Sequence, residues 1–274
     1  MNYNAGFARA NNEGIRQAKG NTVLLLNPDT LCTSDSVTNC YHQFAASTYV
    51  ACGLQLLNAD GTPQISGNYA MRGGLNYLLP LPYVGAVIKW IATLLKVEKP
   101  NVPDTKITVK VDWINGAFLM VKREAVEKAG LLDEDFFLYA EEAEWCSRLK
   151  RVGNLCIYGQ YSVIHLQGEV SNDAFNSTGK GYYNLYDKRG LQIILSNLVR
   201  IRKQFGIGWF LFILSAYTFT IPIFLVVGFL HQLITFKKSL HVFTRWKGFT
   251  KNVLFVWGKS AIIIVNEPYF YKVL

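Results

Sequence analysis

Residues 22–30, TVLLLNPDT, constrain the fold more tightly than any other stretch of this chain. Four apolar residues, 23–26, have strand length and are bounded by turn formers. Such a run suits a strand buried on both faces of a parallel sheet. Pro28 cannot donate to a sheet ladder, so the strand is expected to stop there and present Asp29 on the loop beyond it. In open α/β sheets ligands bind outside the carboxyl ends of strands. A carboxylate there can hold a divalent cation, and the cation can hold phosphate. Taken alone, Asp29 could equally make a turn or cap the helix that begins near residues 34–36.

The rest of the chain alternates helix and strand signals, which predicts an α/β fold. Residues 8–18 read as a helix closed by Gly20, residues 34–46 as a second helix, and residues 49–57 as a strand closed by Asn58-Ala59-Asp60-Gly61. An α/β fold usually opens on a buried strand, and none precedes the first helix. The fold is therefore expected either to start unusually or to lack its first strand–helix–strand portion. Residues 62–105 hold five prolines around one apolar helix, 84–97, and an insertion of that length is usually functional or mobile. Residues 107–121 alternate as a strand that breaks at Asn115-Gly116 and resumes. A short helix, 123–129, follows. The next helix starts at about Glu141, with Trp145, Leu149 and Val152 on one face. Residues 155–158 and 162–165 read as apolar strand segments, the second ending in His165. A loop at 169–180 then leads to a helix at 182–204.

Charge divides the chain in two. Residues 1–180 carry 16 Lys and Arg against 17 Asp and Glu, whereas residues 181–274 carry 12 against 2. The expected domains are accordingly 1–180 and a basic, hydrophobic helical region, 181–274. Residues 205–236 contain no Asp, Glu, Lys or Arg, and 20 apolar residues already suffice to cross a bilayer. Basic residues flank both ends, which favours the cytoplasm for each, and Pro222 would allow a re-entrant hairpin or two interfacial helices. A buried helical subdomain is the alternative. Basic charge interleaved with apolar aromatics suits an anionic membrane surface, and no motif points to nucleic acid. The five cysteines form no CxxC pair, so neither a zinc cluster nor a disulfide framework is indicated and a reducing cytosolic face is expected. The polar start, MNYNAGFARANNEG, does not read as a signal peptide.

Three features could carry chemistry: Asp29, the acidic trio Glu141, Glu142 and Glu144, and His165. Each alone has a structural reading, because acids suit a first helical turn and a histidine beside apolar residues is commonly a core residue. Together they offer an Asp and a His for a metal and a carboxylate for a base. A nucleotidyltransferase would need a Gly-rich phosphate loop, which the sequence lacks.

Five blocks resemble the family 2, GT-A-type glycosyltransferases, and in particular the rhamnosyltransferase-like branch. They are NAGFARANNEGI (4–15), LLLNPDT (24–30), VDWINGA (111–117), FFLYAEEAEWC (136–146) and HLQG (165–168). Order and spacing match across residues 2–171, and RWKGF (245–249) resembles the tail of that branch more weakly. The resemblance implies a GT-A-like (Rossmann-like) mixed sheet flanked by helices, truncated at its N-terminus, with a C-terminal helical membrane-associated region. It implies that Asp29 binds Mn2+ or Mg2+ against the donor diphosphate, that His165 completes the metal site, and that Asn4, Asn11, Asn12 and Asn27 join Asp29 in binding the nucleotide-sugar donor. Glu142 stands where the family has the Asp of its Glu-Asp pair, the base that deprotonates the acceptor hydroxyl, with Glu141 beside it. Glu144-Trp145 likewise replaces Asp-Leu. Trp113, Asn115 and Gly116 would line the acceptor side. The implied activity is inverting transfer of a sugar, such as rhamnose, to a lipid-linked or polysaccharide acceptor in surface polysaccharide synthesis, at the cytoplasmic face of the cell membrane. The alternative is a non-catalytic remnant that acts through membrane or partner association. Without the portion that holds base and ribose, little transferase activity is expected of the chain as it stands.

Overall fold

The computed structural model describes residues 3–70, 75–166, 175, 177, 183–235 and 240–274. The chain divides into two compact units, Met1–Arg72 with Lys99–Gln167, and Gly73–Glu98 with Gly168–Leu274. The expected loop at 169–180 and the Gln167-Gly168 end of the last block lie outside the described residues, Phe175 and Ser177 excepted.

The first unit runs α1 (Gly6–Gln17), β1 (Thr22–Leu26), β2 (Thr30–Leu31), α2 (Ser36–Ala45), β3 (Ala51–Leu57) and β4 (Gly67–Asn68). Helix α3 (Val84–Leu94) belongs to the second unit. The first unit resumes with β5 (Asn101–Val102), β6 (Thr108–Val111), β7 (Trp113–Ile114), β8 (Phe118–Lys122), α4 (Arg123–Ala129), α5 (Glu141–Val152) and β9 (Leu155–His165). Its main sheet has the order β1-β8-β3-β9-β2, with β6 also paired to β9, and β5-β4-β7 form a small second sheet. Strand β9 organises the main sheet. It runs parallel to β3 along its length, antiparallel to β6 through Leu155–Tyr158, and antiparallel to β2 at its end, where His165 faces Thr30.

Both faces of this sheet are apolar because its central strands alternate. Leu119, Val121, Leu155 and Ile157 pack with Ile15, Trp145 and Leu149 on one face. Phe118, Met120, Cys156 and Tyr158 pack with Cys40 and Phe44 on the other. Period-2 alternation between two buried layers is what a helix-flanked sheet requires. Helix α1 starts where it does because Gly6 has φ 78° and a Cβ there would lie 2.2 Å from the Phe137 carbonyl oxygen, which accepts the Phe7 N–H at 2.8 Å.

Strand β1 departs from expectation. It pairs antiparallel with β8, stands at the end of the sheet order, and alternates half-buried with buried rather than being buried on both faces. An antiparallel edge strand needs only one apolar face, so the run of four apolar residues overstated its burial. The two segments expected at 155–158 and 162–165 are one strand, and a register shift opposite Leu54 and Gln55 absorbs the polar residues between them.

In the second unit α6 (Lys188–Phe205), α7 (Ile207–Thr235) and α8 (Leu240–Val265) pack on one another. Helix α6 starts six residues later than expected, because Asp187 is its N-cap and accepts the Gly190 N–H at 2.8 Å. Pro222 makes neither a hairpin nor a second helix: α7 passes through it unbroken. The proline removes one helical hydrogen bond, a cost a long helix can absorb when neighbours pack against it. Trp246 of α8 donates to the Ile221 carbonyl at 3.0 Å, fixing the two helices at that point. The weaker block at 245–249 packs here too, with Phe249 fully buried against Tyr217. Residues Ile207–Ile234 and Val242–Val265 are each long and apolar enough to cross a bilayer, and only about a third or less of either is buried.

Candidate active site

Asp29 and His165 meet because their strands do. After β1 the chain turns through Asn27-Pro28-Asp29-Thr30, closed by the Thr30 N–H donating to the Asn27 carbonyl at 3.1 Å. Thr30 then pairs opposite His165, and the Leu166 N–H donates to the Asp29 carbonyl at 2.9 Å. Asp29 Oδ1 lies 3.3 Å from His165 Nε2, with both side chains largely buried, and Asn27 Nδ2 lies 3.4 Å from the same nitrogen.

Gln64 decides what that nitrogen can do. Its amide nitrogen donates to the Leu57 carbonyl (3.2 Å), Asn58 Oδ1 (2.8 Å) and the His165 carbonyl (2.5 Å), which identifies the nitrogen end of the amide. Its Oε1 therefore sits 3.0 Å from His165 Nδ1 and accepts a proton from it. In the neutral ring Nε2 then carries a lone pair. Burial is the main influence on the imidazole, and it pulls the pKa below the usual histidine value against the opposing pull of Asp29. A neutral Nε2 and a carboxylate oxygen thus face each other as two acceptors. A cation held between them would resolve that contact. Octahedral ligation at 2.0–2.1 Å sets neighbouring donor atoms about 3 Å apart, close to the spacing found here. A carboxylate oxygen and an imidazole nitrogen at this spacing are donors that could hold a divalent cation. Among the described residues no group of three or more His, Cys, Asp or Glu side chains forms a metal cluster.

The acidic helix lies on the other side of one turn. Helix α5 is entered through Tyr139 and Ala140, whose φ values of 72° and 69° are left-handed, a costly backbone that persists where a position is tightly held. Its three acids do different work. Glu144 makes a two-pronged pair with Arg148 (2.8 and 2.7 Å), and Arg148 also donates to the Ala129 carbonyl, so Glu144 ties α5 to the end of α4. Glu141 is almost wholly buried, its Oε2 has no hydrogen-bond partner, and burial followed by the nearby Glu142 raises its pKa well above the carboxylate range. Glu142 is half-buried and lies against Gly116, where a Cβ would come within 3.3 Å of its Cγ and 3.4 Å of its Cβ.

The turn at 115–117 joins the two halves. Asn115 Oδ1 accepts the Ala117 N–H at 3.0 Å, and its amide donates to the Ile65 carbonyl at 3.2 Å, so this side chain shapes the turn. The Ala117 carbonyl accepts the Asn27 N–H at 3.1 Å and the Thr30 hydroxyl at 3.4 Å. One turn thus anchors the Asp29 loop with Ala117 and backs Glu142 with Gly116. Trp113 sits on β7 opposite Asn68, its buried indole N–H without a hydrogen-bond partner.

The asparagines of α1 divide differently from the expectation that all bind donor. Asn12 is fully buried: its amide donates to the Leu132 carbonyl (2.8 Å) and to Glu134 (3.0 Å), while its Oδ1 accepts the Leu132 N–H (2.9 Å). Those bonds use both amide N–H groups and one lone pair of Oδ1, so the side chain locks α1 to the 132–134 loop. Asn11 donates to the Phe7 carbonyl within α1. Asn4 accepts the Gly6 N–H and lines a cavity of about 430 Å³ with Tyr3, Ala10, Glu13 and Gln17. Gln64 was not anticipated from sequence. Its one signal is a position just past the Asp60-Gly61 turn, which folds it back beside the end of β3.

Residues 1–126 match the family described as Glycosyl transferase family 2. The chain is 29% identical over 193 residues to the low-salt glycan biosynthesis hexosyltransferase Agl10 of Haloferax volcanii, covering 68% of this chain and 56% of that protein. It is 26% identical over 157 residues to rhamnosyltransferase WbbL of Escherichia coli K12, covering 54% of this chain and 55% of the relative. The chain thus spans about half the length of these curated relatives. In structure it is similar to mannosyltransferase PcManGT from Pyrobaculum calidifontis in complex with GDP-Man and Mn2+, with a TM-score of 0.41 and 14% identity over 93% of this chain and 67% of that one. The mixed sheet flanked by helices, with its apolar C-terminal helices, is an α/β architecture.

Proposed function

We propose that the chain transfers a glycosyl group, of which rhamnose is one candidate, from a nucleotide-sugar donor to a lipid-linked saccharide acceptor, with inversion. The observation that carries this reading is the 3.3 Å approach of Asp29 Oδ1 to a His165 Nε2 whose ring is oriented by Gln64. Asp29 and His165 would hold Mn2+ or Mg2+, with Asn27 beside them. A bound divalent ion supplies charge neutralisation for a departing nucleoside diphosphate. Glu142, half-buried beside Gly116, takes the proton of the acceptor hydroxyl as that oxygen attacks the anomeric carbon from the face opposite the leaving group. Burial favours the neutral form of Glu141, which limits the negative charge beside Glu142. A single displacement of this kind inverts the anomeric centre. The apolar surfaces of α7 and α8, with the basic residues around them, support work at the cytoplasmic face of a membrane on a lipid-linked acceptor.

The test pairs binding with turnover. Nucleoside diphosphates are titrated calorimetrically with Mn2+, and a panel of nucleotide sugars is offered with membrane-extracted acceptors. Asp29→Asn is expected to abolish Mn2+-dependent nucleotide binding, and Glu142→Gln to retain binding while losing turnover. Equal nucleotide affinity in wild type and Asp29→Asn would overturn the metal assignment, and undiminished turnover by Glu142→Gln would overturn the base.

A further inference from the structure

Helix α3 is an apolar helix that the described residues leave largely uncovered. Of its eleven residues, VGAVIKWIATL, only Lys89 and Thr93 are polar. Its sole buried residue is Gly85. From Val87 onward most of the large side chains stand in solvent, with Trp90 63%, Leu94 62% and the following Leu95 70% exposed, while Ile88 is half-buried. An isolated helix this short is marginal in water, and one that is apolar all round needs an apolar surrounding. Among the described residues, close apolar packing is concentrated at its first turn, and Lys89 further along reaches the Tyr183 ring at 4.3 Å. In that first turn Gly85 lies so close to Leu79 that a Cβ would fall 2.1 Å from the Leu79 carbonyl oxygen, and the Tyr83 ring lies 5.8 Å from Phe224 and 6.3 Å from His231 of α7.

We infer that α3 is an interfacial helix that lies in the headgroup boundary of a lipid bilayer. This deepens the membrane reading of α7 and rests on it, and three observations select lipid over other covers. First, eleven residues fall well short of the about 20 needed to span, so an exposed apolar helix of this length belongs to the interface. Second, its first turn meets the C-terminal half of α7: Phe224 and His231 precede the final Thr235 by about 16 and 6 Å of helix. With α7 across a bilayer, that end approaches the headgroup level, and Lys237 and Lys238 follow it in sequence. Third, the charges on and beside α3 are mostly cationic, Lys89, Lys96 and Lys99 against Glu98, and its one tryptophan lies among them. Tryptophan with lysine is the composition that favours the membrane–water interface and anionic headgroups.

The experiment reconstitutes the full chain into phosphatidylcholine vesicles containing phosphatidylglycerol, some carrying lipids brominated at shallow or deep chain positions. Tryptophan quenching is compared in wild type and Trp90→Phe, so the difference reports Trp90 alone. The expected result is quenching of Trp90 by shallow bromines in preference to deep ones, consistent with burial of about 5–10 Å. A blue-shifted Trp90 emission that disappears in the Leu94→Glu variant is also expected. Vesicle-bound protein whose Trp90 is not quenched at any depth would overturn the inference and leave the membrane reading of α7 standing. Failure of the wild type to float with vesicles would overturn both. Trp90 shielded from aqueous quencher without lipid, in a concentration-dependent oligomer, would replace lipid by a second copy of the chain.

Discussion

Gln64 grips His165 from two directions, accepting from its Nδ1 at 3.0 Å and donating to its carbonyl at 2.5 Å. The side chain and backbone of the proposed ligand are thus fixed by one amide that itself is bound to the β3 end and to Asn58. Partners of this kind set the tautomer of a ligating histidine, and losing one typically weakens metal affinity about 10- to 100-fold. Gln64→Leu is expected to lower Mn2+ affinity, read by electron paramagnetic resonance with a nucleoside diphosphate present, by about that factor. Gln64→Glu keeps the acceptor and should lose less. The histidine 15N shifts provide the independent check, since His165 should show a protonated Nδ1 in the wild type and a mixture of tautomers in Gln64→Leu.

Glu141 makes stability depend on pH in a definite direction. Its folded pKa is raised, chiefly by burial and then by Glu142, so its neutral form fits the fold and its charged form does not. Stability is therefore fully present below the unfolded carboxylate value of about 4.3 and falls as the pH rises above it. Urea midpoints should decline over that rise in the wild type. Glu141→Gln should flatten the decline and gain most in stability at neutral pH and above. A wild-type midpoint that rises between pH 5 and 7 while the variant matches it would remove the argument.

What the sequence displayed was local and periodic. Residues 123–129 and the start at Glu141 were legible because a short apolar-periodic helix ends in Gly130, and because three acids crowd a first turn. Asp29 was legible because Pro28 stops a strand. The antiparallel edge placement of β1 was not, since four apolar residues look the same in a parallel and an antiparallel sheet. Asn12 shows the limit most plainly. A polar residue in a helix gives no sign whether it meets a ligand or a loop 120 residues away, and only the fold brings it to Leu132. Gln64 is the same case reversed, a polar loop residue with no periodicity to mark it.

Asn12 yields the contrasting prediction. Removing its amide strands the Leu132 N–H and carbonyl in a buried place, and each buried group left unpaired costs about 1–3 kcal/mol. Asn12→Ala should destabilise the chain by about 2–4 kcal/mol in urea unfolding. The folded fraction should bind Mn2+ and nucleotide as the wild type does. A loss of nucleotide affinity at unchanged stability would instead return Asn12 to the donor site.

Gly116 offers the most selective test of Glu142. The backbone at this glycine does not need a left-handed φ, so alanine is conformationally acceptable and only space is at issue. The added Cβ would stand 3.3 Å from Glu142 Cγ and 3.4 Å from its Cβ, and 3.8 Å from the Phe7 ring. Contacts slightly closer than ordinary packing displace a side chain by a few tenths of an ångström without unfolding anything. Displacements approaching 1 Å can cost about 100-fold in rate, so a shift of this size should cost about tenfold in kcat. In the proposed site nucleotide and metal are held by Asp29 and His165, which Gly116 does not touch, and their binding should be unaffected. Ala117 keeps its bonds to Asn27 and Thr30, so the Asp29 loop stays in position. Gly116→Ala is therefore expected to separate the two halves of the site, with kcat reduced, donor KM and urea midpoint unchanged, and the nucleotide titration superimposable on the wild type. A parallel loss of kcat and metal affinity would mean that the 115–117 turn moves as one piece and that Glu142 is not its specific target.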